Sequence, residues 1–176
     1  MPGVRGKAIQ PTPLRQFAES VGVRVLTPAD VNATDVVAEL RGLRVDLAYV
    51  VAFGQKIGPE ILAMFPAGII NLHGSLLPAY RGAAPVQRAV LNGELESGVT
   101  IFRLVEKMDA GPILAQRRTA IAPEETADDL HDRLARIGCD CLRAAIDRLI
   151  ANPADPGEEQ DASRATMAPK LKKSDG

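Results

Sequence analysis

Hydrophobic positions along this chain follow two rhythms that take turns. PLRQFAESVG (13–22) places Leu14, Phe17, Ala18 and Val21 at helical spacing, with Gly22 as a stop. VRVLTP (23–28) then reads as a short strand. DVVAELRG (35–42) returns to the helical rhythm, with Thr34 in position to cap it and Gly42 to end it. VDLAYVVAFG (45–54) is an unbroken apolar run rich in Val, the pattern of a strand buried on both faces and therefore of a parallel strand. PEILAMF (59–65) predicts a helix with Pro at its first position, and AGIINLH (67–73) a second buried strand. Beyond a loop at 74–84, PVQRAVLNGE predicts a helix closing near Gly93. SGVTIFRLVE (97–106) alternates and predicts a half-buried strand, and KMDAGP (107–112) a turn. PILAQRRTAI (112–121) predicts a further strand, antiparallel to the one before it because the link is short. A long helix from 127 to 151 follows, opened by a Thr126/Asp129 capping box and carrying Leu130, Leu134, Ile137, Leu142, Ile146 and Leu149 as an apolar stripe.

This alternation predicts an α/β fold: an open, mostly parallel twisted sheet flanked by helices, occupying residues 1–151. The remaining stretch, 152–176, is polar and Pro-rich and predicts an extended tail or linker. Composition narrows the picture. With 176 residues, 46% hydrophobic, 3% aromatic and no Trp, the chain builds one core from Ala, Val, Leu and Ile. A net charge of −1 gives no bulk attraction for nucleic acid, so any RNA contact needs a local basic patch. Cys139 and Cys141 stand at i and i+2 of the long helix and point apart, so they neither bridge nor share a metal; they fit a reduced, cytoplasmic compartment. MPGVRGKAIQ lacks the apolar core of a secretory signal, and LAYVVAFG (47–54) is too short to span a bilayer.

The chemistry gathers at strand ends, where open α/β sheets bind ligands. Asn71 and His73 lie two residues apart at the end of the 67–73 strand, so they share a face while Leu72 packs on the other. Each also has an ordinary explanation, Asn71 as a loop former and His73 as a hydrogen-bonded surface residue. Asp109, in the turn between two later strands, caps its own backbone or joins them as a third polar group. Other templates fail: there is no GxSxG elbow, no HExxH, no GxGxxG and no GxxxxGK[ST]. His131 falls one place off the helix stripe and reads as solvated.

NLHGSLLPAYRGAAPVQRAVLNGELESGVTIFRLVEKMDAGPILAQ (71–116) resembles the signature region of the methionyl-tRNA formyltransferases, within the wider formyltransferase superfamily and its Asn-x-His-x-Ser-x-Leu-Pro core. RGAAPVQRAV (81–90) and Gly74 point to the methionyl-tRNA branch rather than to those acting on glycinamide ribonucleotide or sugars. The resemblance implies a Rossmann-like fold, with Asn71, His73 and Asp109 as the catalytic trio. It implies Ser75, Leu76, Leu77 and Pro78 as the folate-contacting segment, and Arg5 and Lys7, in VRGK, as part of a basic loop that meets tRNA. The implied co-substrate is 10-formyltetrahydrofolate, with no metal. The implied partner is initiator methionyl-tRNA, with no membrane, in a family whose members are usually monomers.

On that resemblance the methionyl amine attacks the formyl carbon. Asn71 and His73 stabilise the oxygen of the tetrahedral intermediate, where one such donor contributes ~3 kcal/mol. Asp109 orients His73 and relays protons, help of roughly 10²–10⁴ in rate. The family also has a strand, a helix and a second strand ahead of the RGK loop and a barrel-like domain beyond the linker. On this reading the chain is an internal piece of the enzyme, N-terminally truncated. Two alternatives stand beside it: an inactive remnant, and a related transferase acting on a nucleotide or sugar amine.

Overall fold

The computed structural model describes residues 11–175. Helix α1, Pro13–Ser20, forms where the 3.6-residue rhythm predicts it. The Thr12 hydroxyl accepts from the Arg15 N–H at its start, and Gly22, at a φ of 75°, follows its end. The chain divides into two compact units between Val31 and Asn32, so α1 belongs to the first and all strands to the second. The expected strand at 23–28 does not form among the described residues. Strand-forming side chains give only a tendency, and a strand exists when a neighbour pairs its N–H and C=O groups.

In the second unit the order is α2 (Thr34–Gly42), β1 (Ala48–Val51), α3 (Pro59–Leu62), β2 (Ile69–His73), α4 (Pro85–Leu91), β3 (Glu96–Arg103), β4 (Ile113–Ala120) and α5 (Ala127–Ala151). Thr34 does not cap α2. It is the first helical residue, and Ala33 holds the cap position without a side-chain bond. The sheet runs β1-β2-β3-β4 and is open, with helices against it. Its pairing is mixed rather than mostly parallel: β1 pairs with β2 parallel, while β2 with β3 and β3 with β4 are antiparallel. After β2 the chain passes through α4 and starts β3 at the end of the sheet where β2 finished. The short link from β3 to β4 then permits only a reversal.

The core lies between the sheet and α5. Ile70, Val99, Ile101 and Leu114 of the strands meet Leu130, Leu134, Cys141, Ala145 and Leu149 of the helix. The buried line of α5 runs through Gly138, Cys141 and Ala145 rather than through Ile137, Leu142 and Ile146, which flank it. Small residues let the helix approach closely. A Cβ on Gly138 would stand 2.5 Å from Leu72 Cδ1. The Thr126/Asp129 capping box is present, and it satisfies orphan N–H groups at the head of this 25-residue helix. Cys141 is a core residue and Cys139 a surface one, both free.

Two strands differ from expectation in burial. β3 is enclosed on both faces from Ser97 to Phe102, not half-buried, because α5 covers one face and the loop after β2 covers the other. Among the described residues β1 is a sheet edge, and Tyr49 and Val51 are exposed rather than enclosed. The stretch after α5, expected to be an extended tail or linker, carries two short 3-10 turns, Ala162–Arg164 and Lys173–Asp175, and runs back along the domain. Arg148 pairs with Asp155 at 2.6 Å, and Arg103 donates to the Asp155 carbonyl. Glu158 bridges to Ile113, Met167 bridges to Arg81, and Ala168 is fully buried.

Candidate active site

The register of the sheet assembles one polar face. Leu72 points at α5, so Asn71 and His73 point the other way, opposite Phe102 and Thr100 of β3. His73 is 6% exposed, and its ring stands edge-on to Phe102 with centroids 6.4 Å apart. Its Nε2 lies 2.8 Å from the Tyr80 carbonyl. A carbonyl only accepts, so Nε2 carries a proton and Nδ1 is left facing Asp109. The Nδ1 to Oδ2 distance is 3.8 Å, longer than a hydrogen bond and within ion-pair range. Asn71 and His73 from one strand and Asp109 from a distant turn are thus brought to one place. The Asn71 Oδ1 is buried and has no hydrogen-bond partner. Such an orphaned acceptor costs about 1–3 kcal/mol unless something satisfies it.

The Asp109 turn is held by backbone geometry. Asp109 has a φ of 48°, a left-handed conformation that Asp tolerates better than most residues. Gly111 lies so near β3 that a Cβ there would stand 1.8 Å from the Arg103 carbonyl oxygen. The Asp109 carboxylate accepts from the Gly82 N–H at 2.7 Å, so it does not merely cap its own turn.

The segment proposed to meet folate divides in two. Ser75 and Leu77 are sealed, at 2% and 3% exposure. Ser75 Oγ donates to the Ala79 carbonyl at 2.6 Å, and Leu77 N–H donates to Thr100 Oγ1 at 3.1 Å. Leu76, laid over Gly98, and Pro78 remain half-buried. Thr100 organises this loop. Its hydroxyl donates to the Ser75 carbonyl and accepts from both Leu77 N–H and Gln116 Nε2, which uses its full capacity. Sequence reasoning missed Thr100, Gln116, Tyr80 and Gly82. The only signal for Thr100 is a polar residue amid Val99, Ile101 and Phe102 in a buried strand. Tyr80 is set by its φ of 60° and by its hydroxyl, which bonds Glu94 and Asn92. Burial and the Glu94 contact push that phenol's pKa up. Arg5 and Lys7 lie outside the described residues. Among the described residues no cluster of His, Cys, Asp or Glu could hold a metal, and no helix is long and apolar enough to cross a membrane.

Comparison with known proteins places this geometry in a family. Residues 2–146 match the formyl transferase family model. Methionyl-tRNA formyltransferase of Rhodopirellula baltica is 44% identical over 170 residues, covering 94% of this chain and 51% of that protein. The enzyme of the same name from Moorella thermoacetica is 43% identical over 171 residues, covering 97% and 55%. The chain therefore spans about half the length of these relatives. Among solved structures, phosphoribosylglycinamide formyltransferase from Bacillus halodurans superposes with a TM-score of 0.71 at 25% identity, over 79% of this chain and 75% of that one. Glycinamide ribonucleotide transformylase 1 from Geobacillus kaustophilus gives 0.67 at 30% identity, over 76% and 75%. The match over most of its length, with sheet and site residues inside the matched region, makes this chain a member of the formyl transferase family.

Proposed function

We propose that this chain is the catalytic portion of an enzyme that moves a formyl group from 10-formyltetrahydrofolate to the amino group of initiator methionyl-tRNA in the cytoplasm. The convergence of Asn71, His73 and Asp109 on one sheet face carries this reading, with His73 Nδ1 and Asp109 Oδ2 3.8 Å apart. The 43–44% identity to methionyl-tRNA formyltransferases supports methionyl-tRNA as the source of the amine.

The residues present fit a folate-borne formyl group. A buried, unpartnered amide oxygen on Asn71 stands on the same face as an anchored imidazole, and half-buried Leu76 and Pro78 offer apolar surface to a ring. When bound, 10-formyltetrahydrofolate supplies the electrophilic carbon. Asn71 can turn either end of its amide toward the site, Nδ2 to donate or Oδ1 to accept. His73, donating through Nε2 to the Tyr80 carbonyl, turns its Nδ1 edge toward the Asp109 carboxylate. An amine is a good nucleophile once deprotonated, so no covalent enzyme intermediate is required. Arg5 and Lys7 are proposed to meet the acceptor end of the tRNA.

The test is a formylation assay of the full chain with labelled 10-formyltetrahydrofolate and three amines: methionyl-tRNA, glycinamide ribonucleotide and an amino-sugar nucleotide. Transfer to methionyl-tRNA alone is expected. Transfer to either small amine would move the reading to another branch, and transfer to none would leave an inactive remnant. Asp109→Asn is expected to reduce turnover as His73→Ala does; a silent result would return Asp109 to a turn-forming role.

A further inference from the structure

We propose that Gln160, on the stretch returning from α5, is a positioning residue whose side-chain amide clamps the Arg81 loop to the Asp109 turn and so sets the spacing of His73 and Asp109. The inference rests on the functional reading above. Both ends of that amide are engaged. Its Nε2 donates to the Asp109 carbonyl at 2.9 Å and to the Gly111 carbonyl at 2.7 Å. Its Oε1 accepts from Arg81 Nε at 3.1 Å and Nη2 at 2.6 Å.

Three consecutive residues make the clamp meaningful. The Tyr80 carbonyl accepts from His73, the Arg81 guanidinium holds Gln160, and the Gly82 N–H donates to the Asp109 carboxylate. Arg81 is only 5% exposed, and among the described residues its guanidinium bonds to Gln160 alone. A buried guanidinium needs its hydrogen bonds, so the neutral amide fixes the loop without adding a carboxylate beside Asp109. The same returning stretch fastens the loop a second time. Thr166 Oγ1 accepts from the Tyr80 N–H at 2.8 Å, and the Arg81 backbone bonds Thr166 and Ala168. Gln160 thereby closes a ring of contacts between the two loops that carry Arg81 and Asp109.

Gln160→Glu separates positioning from folding. Glutamate still accepts from Arg81, as an ion pair, but cannot donate to the carbonyls of Asp109 and Gly111. The full chain is compared with this variant and with Gln160→Ala by thermal melting, by the ring ¹⁵N signals of His73 at fixed pH, and by kcat and KM for methionyl-tRNA. His131, the other histidine, is exposed and serves as an internal reference. The Glu variant is expected to melt within about 3 °C of the parent. Its His73 signals should shift while those of His131 stay. Its kcat should fall about tenfold to a hundredfold with KM unchanged, and that loss should vanish when Asp109 is already Asn. Unchanged His73 signals and kcat would overturn the proposal. So would a loss of kcat that persists undiminished in the Asp109→Asn background. If the parent chain formylates nothing, the functional reading fails, and the His73 signals alone still decide whether Gln160 positions the ring.

Discussion

β1 and β3 are both written as apolar runs, and the sheet treats them in opposite ways. In β3, Val99, Thr100, Ile101 and Phe102 are fully enclosed; in β1, Tyr49 and Val51 are more than 40% exposed. β3 has a strand on either side, α5 on one face and the Ser75–Pro78 loop on the other. β1 has one neighbour among the described residues and lies at the rim. Burial is thus a property of the neighbours more than of the run itself. Asn71 and His73 are carried by β2 against this enclosed strand, and Asp109 by the turn that follows it. Phe102, fully buried on the face of the sheet away from α5, sets its ring edge-on against the imidazole of His73.

The sharpest break of that contrast is Phe102→Ala, expected to cost about 3–5 kcal/mol because it empties the place of a large, fully buried ring. Urea unfolding measures it, and a loss below about 1 kcal/mol would mean that β3 is not the anchoring strand. Next comes His73→Ala, for which turnover should fall at least about a hundredfold, near 3 kcal/mol in the barrier, with little change in melting temperature. Persistent formylation would leave His73 as a packing residue against Phe102. A smaller effect concerns acid. Arg148 beside Asp155, with help from the Gly157 N–H, holds that carboxyl below the usual aspartate range. The stability it contributes is present above the unfolded pKa of about 4 and is lost as pH falls through the depressed folded value. Asp155→Asn should therefore melt lower than the parent at pH 6, and the gap should close as pH falls through the depressed folded value. A gap independent of pH would show that the ion pair does not fasten the returning stretch. Val51→Thr on the exposed rim should change stability by no more than about 0.5 kcal/mol. A larger loss would show that β1 is covered.

Much of this was legible in the residues. The capping box at Thr126 and Asp129, the Pro residues opening α3 and α4 and the Gly22 and Gly93 stops act within a few residues, so local reading found their helices. Asn71 and His73 were legible as a pair because strand periodicity alone puts them on one face. Thr100 was not, since a hydroxyl in an apolar strand shows its purpose only when Ser75, Leu77 and Gln116 surround it. Thr34 was misread as a cap because a cap needs the chain to leave helical geometry there, and it leaves one residue earlier. The 23–28 segment has strand-forming residues but forms no strand among the described residues, so side-chain tendency alone did not decide it.

The residues alone predicted each α-helix and strand that forms and put Asn71 and His73 on one face of a strand, because backbone preference and side-chain alternation act over short distances. Tertiary structure alone decided that the sheet is mixed, that β3 is covered twice, and that Asp109, Gly82 and Gln160 meet around His73. Those meetings join positions up to 79 apart in the chain, as for Arg81 and Gln160. They depend on where packed elements leave their loops, which no local pattern encodes.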